Sequence, residues 1–176
     1  MKIAICGVMC SGKSYIADII KNQLPDTYII SFADKIKDLA LELFDMKEKD
    51  RTLLISIGEK MKEIDSKVWI KYTIKQSYHY NNVIIDDLRF ENELEELIKN
   101  DFILIKLNIS KELQIDRLKM TYPNNWENHL KHIRNERNNI NKLNEDCFNY
   151  IIDIDKDIKN ITNIINHILT QSNNIS

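Results

Sequence analysis

The chain reads as an α/β domain built on a central parallel sheet of five strands flanked by helices. Three observations predict this. Short, almost wholly apolar runs recur at Lys2–Cys6, Tyr28–Phe32, Val83–Asp87, Phe102–Leu107 and Asn149–Asp153. Runs of this kind, without polar alternation, suit strands covered on both faces, as in parallel sheets. Segments with apolar residues at helical spacing separate the runs, so strand and helix alternate along the chain. The first run passes directly into Gly7-Val8-Met9-Cys10-Ser11-Gly12-Lys13-Ser14, a G-x-x-x-x-G-K-S loop. That pattern works only between a strand and a helix, where consecutive backbone N–H groups converge on a phosphate.

Taken in order, Lys2–Cys6 is a central strand, and the segment from Ser14 to Ile20 carries Ile16, Ile19 and Ile20 at helical spacing. Leu24-Pro25-Asp26 breaks that helix, and Tyr28–Phe32, β-branched and aromatic, forms the second strand. Ala33–Phe44 has Ile36, Leu39, Ala40, Leu43 and Phe44 on one stripe, an amphipathic helix. The charged connection Asp45–Asp50 leads to a helix marked by Leu54, Ile57, Met61 and Ile64. Gly58 lies inside it, at a cost of ~1 kcal/mol relative to alanine, which predicts a close approach to its backbone. Ser66–Gln76 is a further helix, with Val68, Trp69 and Thr73 along one side. Val83–Asp87 is the third strand and ends in two carboxylates. Glu91–Lys99 turns Leu94, Leu97 and Ile98 inward, and Phe102–Leu107 is the fourth strand. Ser110 caps a helix running to Met120. Thr121–Asp146 is polar and Asn-rich, an irregular stretch with room for some helix and of the kind that serves as a lid. Asn149–Asp153 is the last strand. Ile158, Ile161, Ile165, Ile168 and Leu169 mark the final helix, and Gln171–Ser176 reads as a frayed tail.

Composition limits the function classes. The 176 residues suffice for one domain with a sizeable core, and 43% are apolar. A net charge of −2 argues against bulk polyanion binding, so a phosphate site must gather its cations locally. Three cysteines, Cys6, Cys10 and Cys147, form no metal-ligand pattern and suit a reducing compartment. No signal-peptide pattern and no long apolar span occurs, so the expected location is cytoplasmic, with neither a membrane nor a nucleic acid as partner.

Ligands of parallel sheets bind at the carboxyl ends of the strands, so the residues following each strand are the candidates. Gly7 and Gly12 let the loop curl, Lys13 offers a point charge, and Ser14 offers a hydroxyl to Mg²⁺. Cys10 is either a small neutral loop residue or an oxidation-sensitive one. Of Asp86 and Asp87, successive strand residues facing opposite ways, one can assist the metal; Asp87, beside Arg89, is the expected one. Arg89 can grip a phosphate or carboxylate with its fork. Asn92 and Glu93 either contact a base or sugar or cap the helix they begin. Asp34 and Lys37 sit where an acceptor would lie, although Asp34 also suits a helix N-terminus. Arg51 and Lys62 are acceptor ligands or solvated cations. Arg117, Lys119, Arg134 and Arg137 flank or occupy the polar stretch, which can deliver cations as a site closes. The four histidines show no metal spacing, and His132 is the one placed in the lid.

Together these residues resemble the deoxynucleoside monophosphate kinases of bacteriophages and large DNA viruses, within the wider group of P-loop nucleoside monophosphate kinases, with animal-type phosphomevalonate kinase as a relative. The resemblance spans Lys2 to about Asp155. Beyond the loop it rests on Ser31-Phe32-Ala33-Asp34-Lys35-Ile36-Lys37, on Arg51 with Ile57-Gly58, Lys62, Ile64-Asp65 and Trp69, and on Asp87-Leu88-Arg89-Phe90-Glu91-Asn92-Glu93. It rests also on His132-Ile133-Arg134-Asn135-Glu136 followed by Phe148–Asp153. Departures are Lys62 where the family has arginine, Asn135 for serine, Glu91 for proline, and no proline after Asp34.

The resemblance implies a three-layer P-loop kinase fold over residues 1–176. It implies an acceptor-binding helical region at about 34–78 and a lid at about 117–146. ATP with Mg²⁺ would be held by Gly7, Cys10, Ser11, Gly12, Lys13 and Ser14, together with Arg117; Ser14 and Asp87 would hold the metal. A (deoxy)nucleoside monophosphate would be held by Asp34, Lys37, Arg51, Lys62, Arg89, Asn92, Glu93 and Glu136. Lys13, Arg89, Arg117 and Asp34 would serve the transfer itself. A homodimer is an open alternative to the monomer. A kinase for another phosphorylated acceptor, phosphomevalonate-like, and a nucleotide-binding regulator without turnover are the competing readings.

Overall fold

The computed structural model describes residues 1–157 and 160–173. β1 (Lys2–Cys6) is the middle strand of five, in the order β2-β3-β1-β4-β5, and every pairing is parallel. Its neighbours are β3 (Asn82–Leu88) and β4 (Ile103–Asn108); β2 (Thr27–Ile30) and β5 (Tyr150–Asp153) are the edges. Ala4 lies level with Ile85 on one side and Leu104 on the other, and all three are buried. Helices cover both faces, which is why these strands carry apolar runs and not alternating ones.

Handedness fixes the layers. The connection from β1 to β2 runs one way across the sheet, whereas those leaving β2, β3 and β4 run the other way. Right-handed crossovers therefore put α1 (Lys13–Gln23) on one face and the helices following β2, β3 and β4 on the opposite face. The packing agrees. α1 meets α9 (Ile161–Asn173), while α4 (Val68–Ser77) meets α5 (Glu91–Lys99) and α6 (Lys111–Thr121) meets α7 (Trp126–Ile140). α8 (Ile154–Asp157) is a single turn after β5. The loops after β1 and β3 leave for opposite faces, and that divergence opens the cleft.

Several expectations need correction. The second strand stops at Ile30, because the N–H groups of Ser31, Phe32 and Ala33 are taken by carboxylates and not by a neighbouring strand. The polar stretch is mostly helical: α6 runs through Thr121, α7 spans fifteen residues, and a 3-10 turn covers Glu145–Cys147. Asparagine is a poor helix former. Burial of His129, Ile133 and Ile140 along one side of α7 outweighs it. Residues 171–173 belong to α9 and not to a tail, and Ile158, assigned to that helix, lies outside the described residues. In α2 (Asp34–Phe44) the predicted apolar stripe is only partly covered: Ala40 is buried, whereas Leu43 and Phe44 are exposed. Among the described residues no helix is long and apolar enough to cross a membrane.

Gly58, inside α3 (Arg51–Ile64), is buried, and its carbonyl accepts the Trp69 indole N–H at 3.0 Å. A Cβ there would meet Ile36 Cδ1 at 3.5 Å, ordinary van der Waals contact. The expected close approach is therefore a hydrogen bond to the carbonyl, not a clash at Cα. Gly58→Ala should raise the unfolding free energy by ~0.5–1 kcal/mol, measured by denaturant titration.

Candidate functional site

The loop after β1 is shaped by contacts that exclude side chains. Gly12 caps α1 at φ 102°, and Cys10 has φ 65°. At Gly7 a Cβ would fall 2.5 Å from Ser11 Oγ and 3.1 Å from Leu107 Cβ, so no larger residue fits. Ser11 Oγ is buried and has no hydrogen-bond partner among the described residues, a polar atom left inside the cradle. Lys13 folds back, its Nζ donating to the carbonyls of Gly7 at 2.6 Å and Val8 at 3.1 Å. Burial lowers its pKa, while the charges of Glu136 and Asp86 work the other way. Burial also pushes up the Cys10 thiol, and it pushes Cys6 up to about 12, so neither thiol is primed to react.

Residues of α6 and α7 grip this loop. Arg117 Nη1 donates to the carbonyls of Cys10 and Ser11, both at 3.3 Å. Gln114 Nε2 donates to Met9 O at 2.7 Å, and its Oε1 accepts from Arg137, which also donates to Ile109 O. Glu136 Oε2 accepts the Met9 N–H at 2.8 Å, while its Oε1 pairs with Arg89 Nε at 3.2 Å. Gln114 was not among the sequence candidates. Its place three residues before Arg117, on the same side of a helix, is the signal by which it could have been found.

At the end of β3 the ladder is irregular. Ala4 pairs with Ile85, yet Cys6 pairs with Leu88, so β3 carries an extra residue at Asp86-Asp87. Such a bulge re-aims side chains and voids the simple alternation by which the two were expected to face opposite ways. Asp87, the expected metal ligand, instead accepts the Phe32 N–H at 2.9 Å and the Ala33 N–H at 3.3 Å. Burial pushes its carboxyl up to about 6. It ties β3 to the turn after β2. Asp86 is the carboxylate whose charge acts on Lys13, and burial raises its pKa as well. Asp34 belongs to the same turn, accepting from Ser31 N, Ser31 Oγ and Lys37 Nζ. Burial works to raise its pKa, but these bonds outweigh it and hold the carboxyl below the usual range.

A cavity of about 400 Å³ opens beside these groups, with Lys62, Trp69, Arg89, Phe90, Asn92 and Glu93 in its wall. Glu93 both caps and lines. Its Oε2 accepts the N–H groups of Arg89 at 2.8 Å and Phe90 at 3.0 Å, and burial pushes its carboxyl up to about 7. Lys62 pairs with Glu59 at 3.2 Å and lies 5.6 Å from the Phe90 ring centre. Arg51 is drawn to α7, where its Nη2 meets His129 Nδ1 at 3.2 Å. The remaining cations expected in the lid stand apart from this constellation. Lys119 sits over Trp126, and Arg134 and His132 are exposed. A second cavity, of about 260 Å³, lies on the other side of the loop between Gly12, Tyr15, Arg117, Ile154 and Ile161.

The AAA domain family model matches residues 3–135. No curated protein matches the chain in sequence. Among solved structures, the tunicamycin resistance protein of Deinococcus radiodurans has a TM-score of 0.61 at 14% identity, over 98% of this chain and 96% of its own. Shikimate kinase from Acinetobacter baumannii, in complex with shikimate, has a TM-score of 0.60 at 14% identity, over 99% and 95%. Shikimate kinase from Aquifex aeolicus has a TM-score of 0.53 at 17% identity, over 99% and 98%. At such identities the likeness concerns the fold, and the fold is that of P-loop kinases.

Glu93 titrates near 7 in the folded chain against an ordinary 4.5. Below about pH 4.5 its carboxyl is protonated both folded and unfolded; above about 7 the folded state holds a buried charge that the unfolded chain solvates. Stability from this group is therefore lost as pH rises through that window. Glu93→Gln, which can still accept both N–H groups, should raise the unfolding free energy by ~3 kcal/mol at pH 8.5 and change it little at pH 4. Paired denaturant titrations at the two pH values measure this.

Proposed function

The chain belongs to the AAA domain family, and on that premise we propose that it transfers the γ-phosphoryl group of ATP to a (deoxy)nucleoside monophosphate. The supporting observation is the position of Arg89. It lines the 400 Å³ cavity and, through Glu136, also touches the loop after β1. One guanidinium thus stands between a donor site and an acceptor site, where charge spreads during transfer.

The donor's phosphates lie on the loop, whose N–H groups and Lys13 neutralise them. To do so, Lys13 exchanges the Gly7 and Val8 carbonyls for phosphate oxygens. Arg117, already on the loop's carbonyls, borders the smaller cavity, which has the apolar walls a donor base needs. Ser14 and Asp86 are the residues that would hold Mg²⁺. Among the described residues no cluster of three or more acidic, His or Cys ligands exists, which fits an ion held mainly by phosphate and water. Bound there, the ion would neutralise charge on the outer phosphates.

On the acceptor side, Trp69 and Phe90 offer rings against which a base packs, and Asn92 and Glu93 offer polar atoms to its edge. Arg89 and Lys62 take the monophosphate, and Arg51 joins them on release from His129. Asp87 and Asp34 act at one remove, fixing the turn that walls the cavity. Transfer of this kind needs positioning and charge neutralisation more than a dedicated base. The helices α2, α3 and α4, residues 34–78, serve as the acceptor-binding region, and residues 117–146, with α7 at their core, as the lid.

With ATP and Mg²⁺, the protein should phosphorylate at least one of dGMP, dTMP and dCMP in a coupled assay that includes shikimate and phosphomevalonate. Transfer to a non-nucleotide alone would overturn the acceptor assignment. Lys13→Ala should lower kcat by about 10²–10³-fold, the usual loss for a donor aimed at developing charge. Arg89→Ala should raise the acceptor KM and lower kcat while leaving ATP binding within about threefold, since its loss removes transition-state and acceptor contacts only.

A further inference from the structure

Glu136 holds the partners that an outer phosphate would take. Its carboxylate bonds the Met9 N–H of the loop at 2.8 Å and Arg89 at 3.2 Å, and its charge acts on Lys13. A loop N–H, an arginine and the loop lysine are together a phosphate-binding set. The side chain is only 10% exposed, so this is not a surface pairing. Its setting is braced as well. Arg137, the next residue on α7, holds Gln114, and Gln114 holds the carbonyl of the same Met9. The Met9 residue is thus clamped at its N–H by Glu136 and at its carbonyl by Gln114, and α7 is locked onto the loop through it.

We propose that Glu136 is a built-in occupant of the position taken by the outermost phosphate of the donor, which a nucleoside triphosphate must expel and a diphosphate need not. The proposal rests on the reading of the loop as the donor site. A carboxylate and a phosphate cannot both stay charged on one set of donors. Diphosphate, ending one phosphate short, leaves the Glu136 bonds intact. Triphosphate breaks both, leaves α7 tied to the loop only through Arg137 and Gln114, and receives Arg89 from Glu136 in exchange. The γ-phosphate therefore adds little to affinity. Release of Arg89 and loosening of α7 are coupled to the one ligand that carries a transferable group.

Isothermal titration of wild type and Glu136→Gln with Mg·ADP and Mg·ATP tests this. Wild type should bind the two nucleotides within about threefold of each other. Glu136→Gln should tighten ATP binding by about tenfold, equivalent to ~1.4 kcal/mol, and ADP binding by less than about threefold. Equal shifts for both nucleotides, or weaker ATP binding by the variant, would overturn the proposal. The wild-type comparison needs no variant: ATP bound more than about thirtyfold tighter than ADP would overturn it as well, since that surplus leaves no opposing carboxylate (~2 kcal/mol). A chain that binds neither nucleotide sinks the donor-site reading and this proposal together. An unchanged ratio with both nucleotides bound sinks this proposal alone.

Discussion

A loop that gathers backbone N–H groups and an ammonium at one point creates a demand for negative charge, and the neighbouring structure answers it. The loop after β1 is held to its curvature by Gly7 and Gly12, where a side chain is excluded by contact or by φ. Two of its donors are satisfied by protein groups: Lys13 by two carbonyls of its own loop, the Met9 N–H by Glu136. On the proposed reading these are the bonds a nucleotide replaces. Glu136 brings α7 onto the loop and draws Arg89 toward it from the end of β3, and Gln114 and Arg117 bring α6.

Burial supplies the second constraint. Asp86, Asp87 and Glu93 all lie near the carboxyl end of β3, and each carboxyl is raised because the sheet and helices remove water from it. They are tolerated because they are engaged. Asp87 and Glu93 each accept two backbone N–H groups, and Asp86 lies within the field of Lys13. Acidic side chains thus fix the turns around the 400 Å³ cavity, while Arg89 and Lys62, paired with Glu136 and Glu59, stand in its wall. The net charge of −2 conceals this local sorting.

The sequence revealed most where physics leaves a local trace. Strands buried on both faces must be apolar throughout, so all five were readable, as was the loop, whose spacing is dictated by phosphate. Less was readable where a choice depends on long-range pairing. Asp87 looked like the metal ligand because, of two residues expected to face opposite ways, it stands beside Arg89, but the extra residue of β3 opposite Ala4–Cys6 alters that alternation, and pairing register is not written in a single segment. α7 looked irregular because its inward side is partly polar: His129, Glu136 and Arg137 take positions that apolar residues hold in an ordinary amphipathic helix. The contacts that make the helix useful are those that hid its period. In α2 the opposite happened. An apolar stripe predicted a covered face, and Leu43 and Phe44 lie in the open.

On the proposed reading the loop after β1 and the cavity beside Arg89 form one continuous site in which donor and acceptor meet. The most direct measurement is the affinity of a dinucleoside pentaphosphate, which joins a donor nucleoside to an acceptor nucleoside through one phosphate chain. One continuous site predicts binding at least about a hundredfold tighter than ATP, because the second half binds without a second loss of translational freedom. Affinity no better than that of ATP would contradict it.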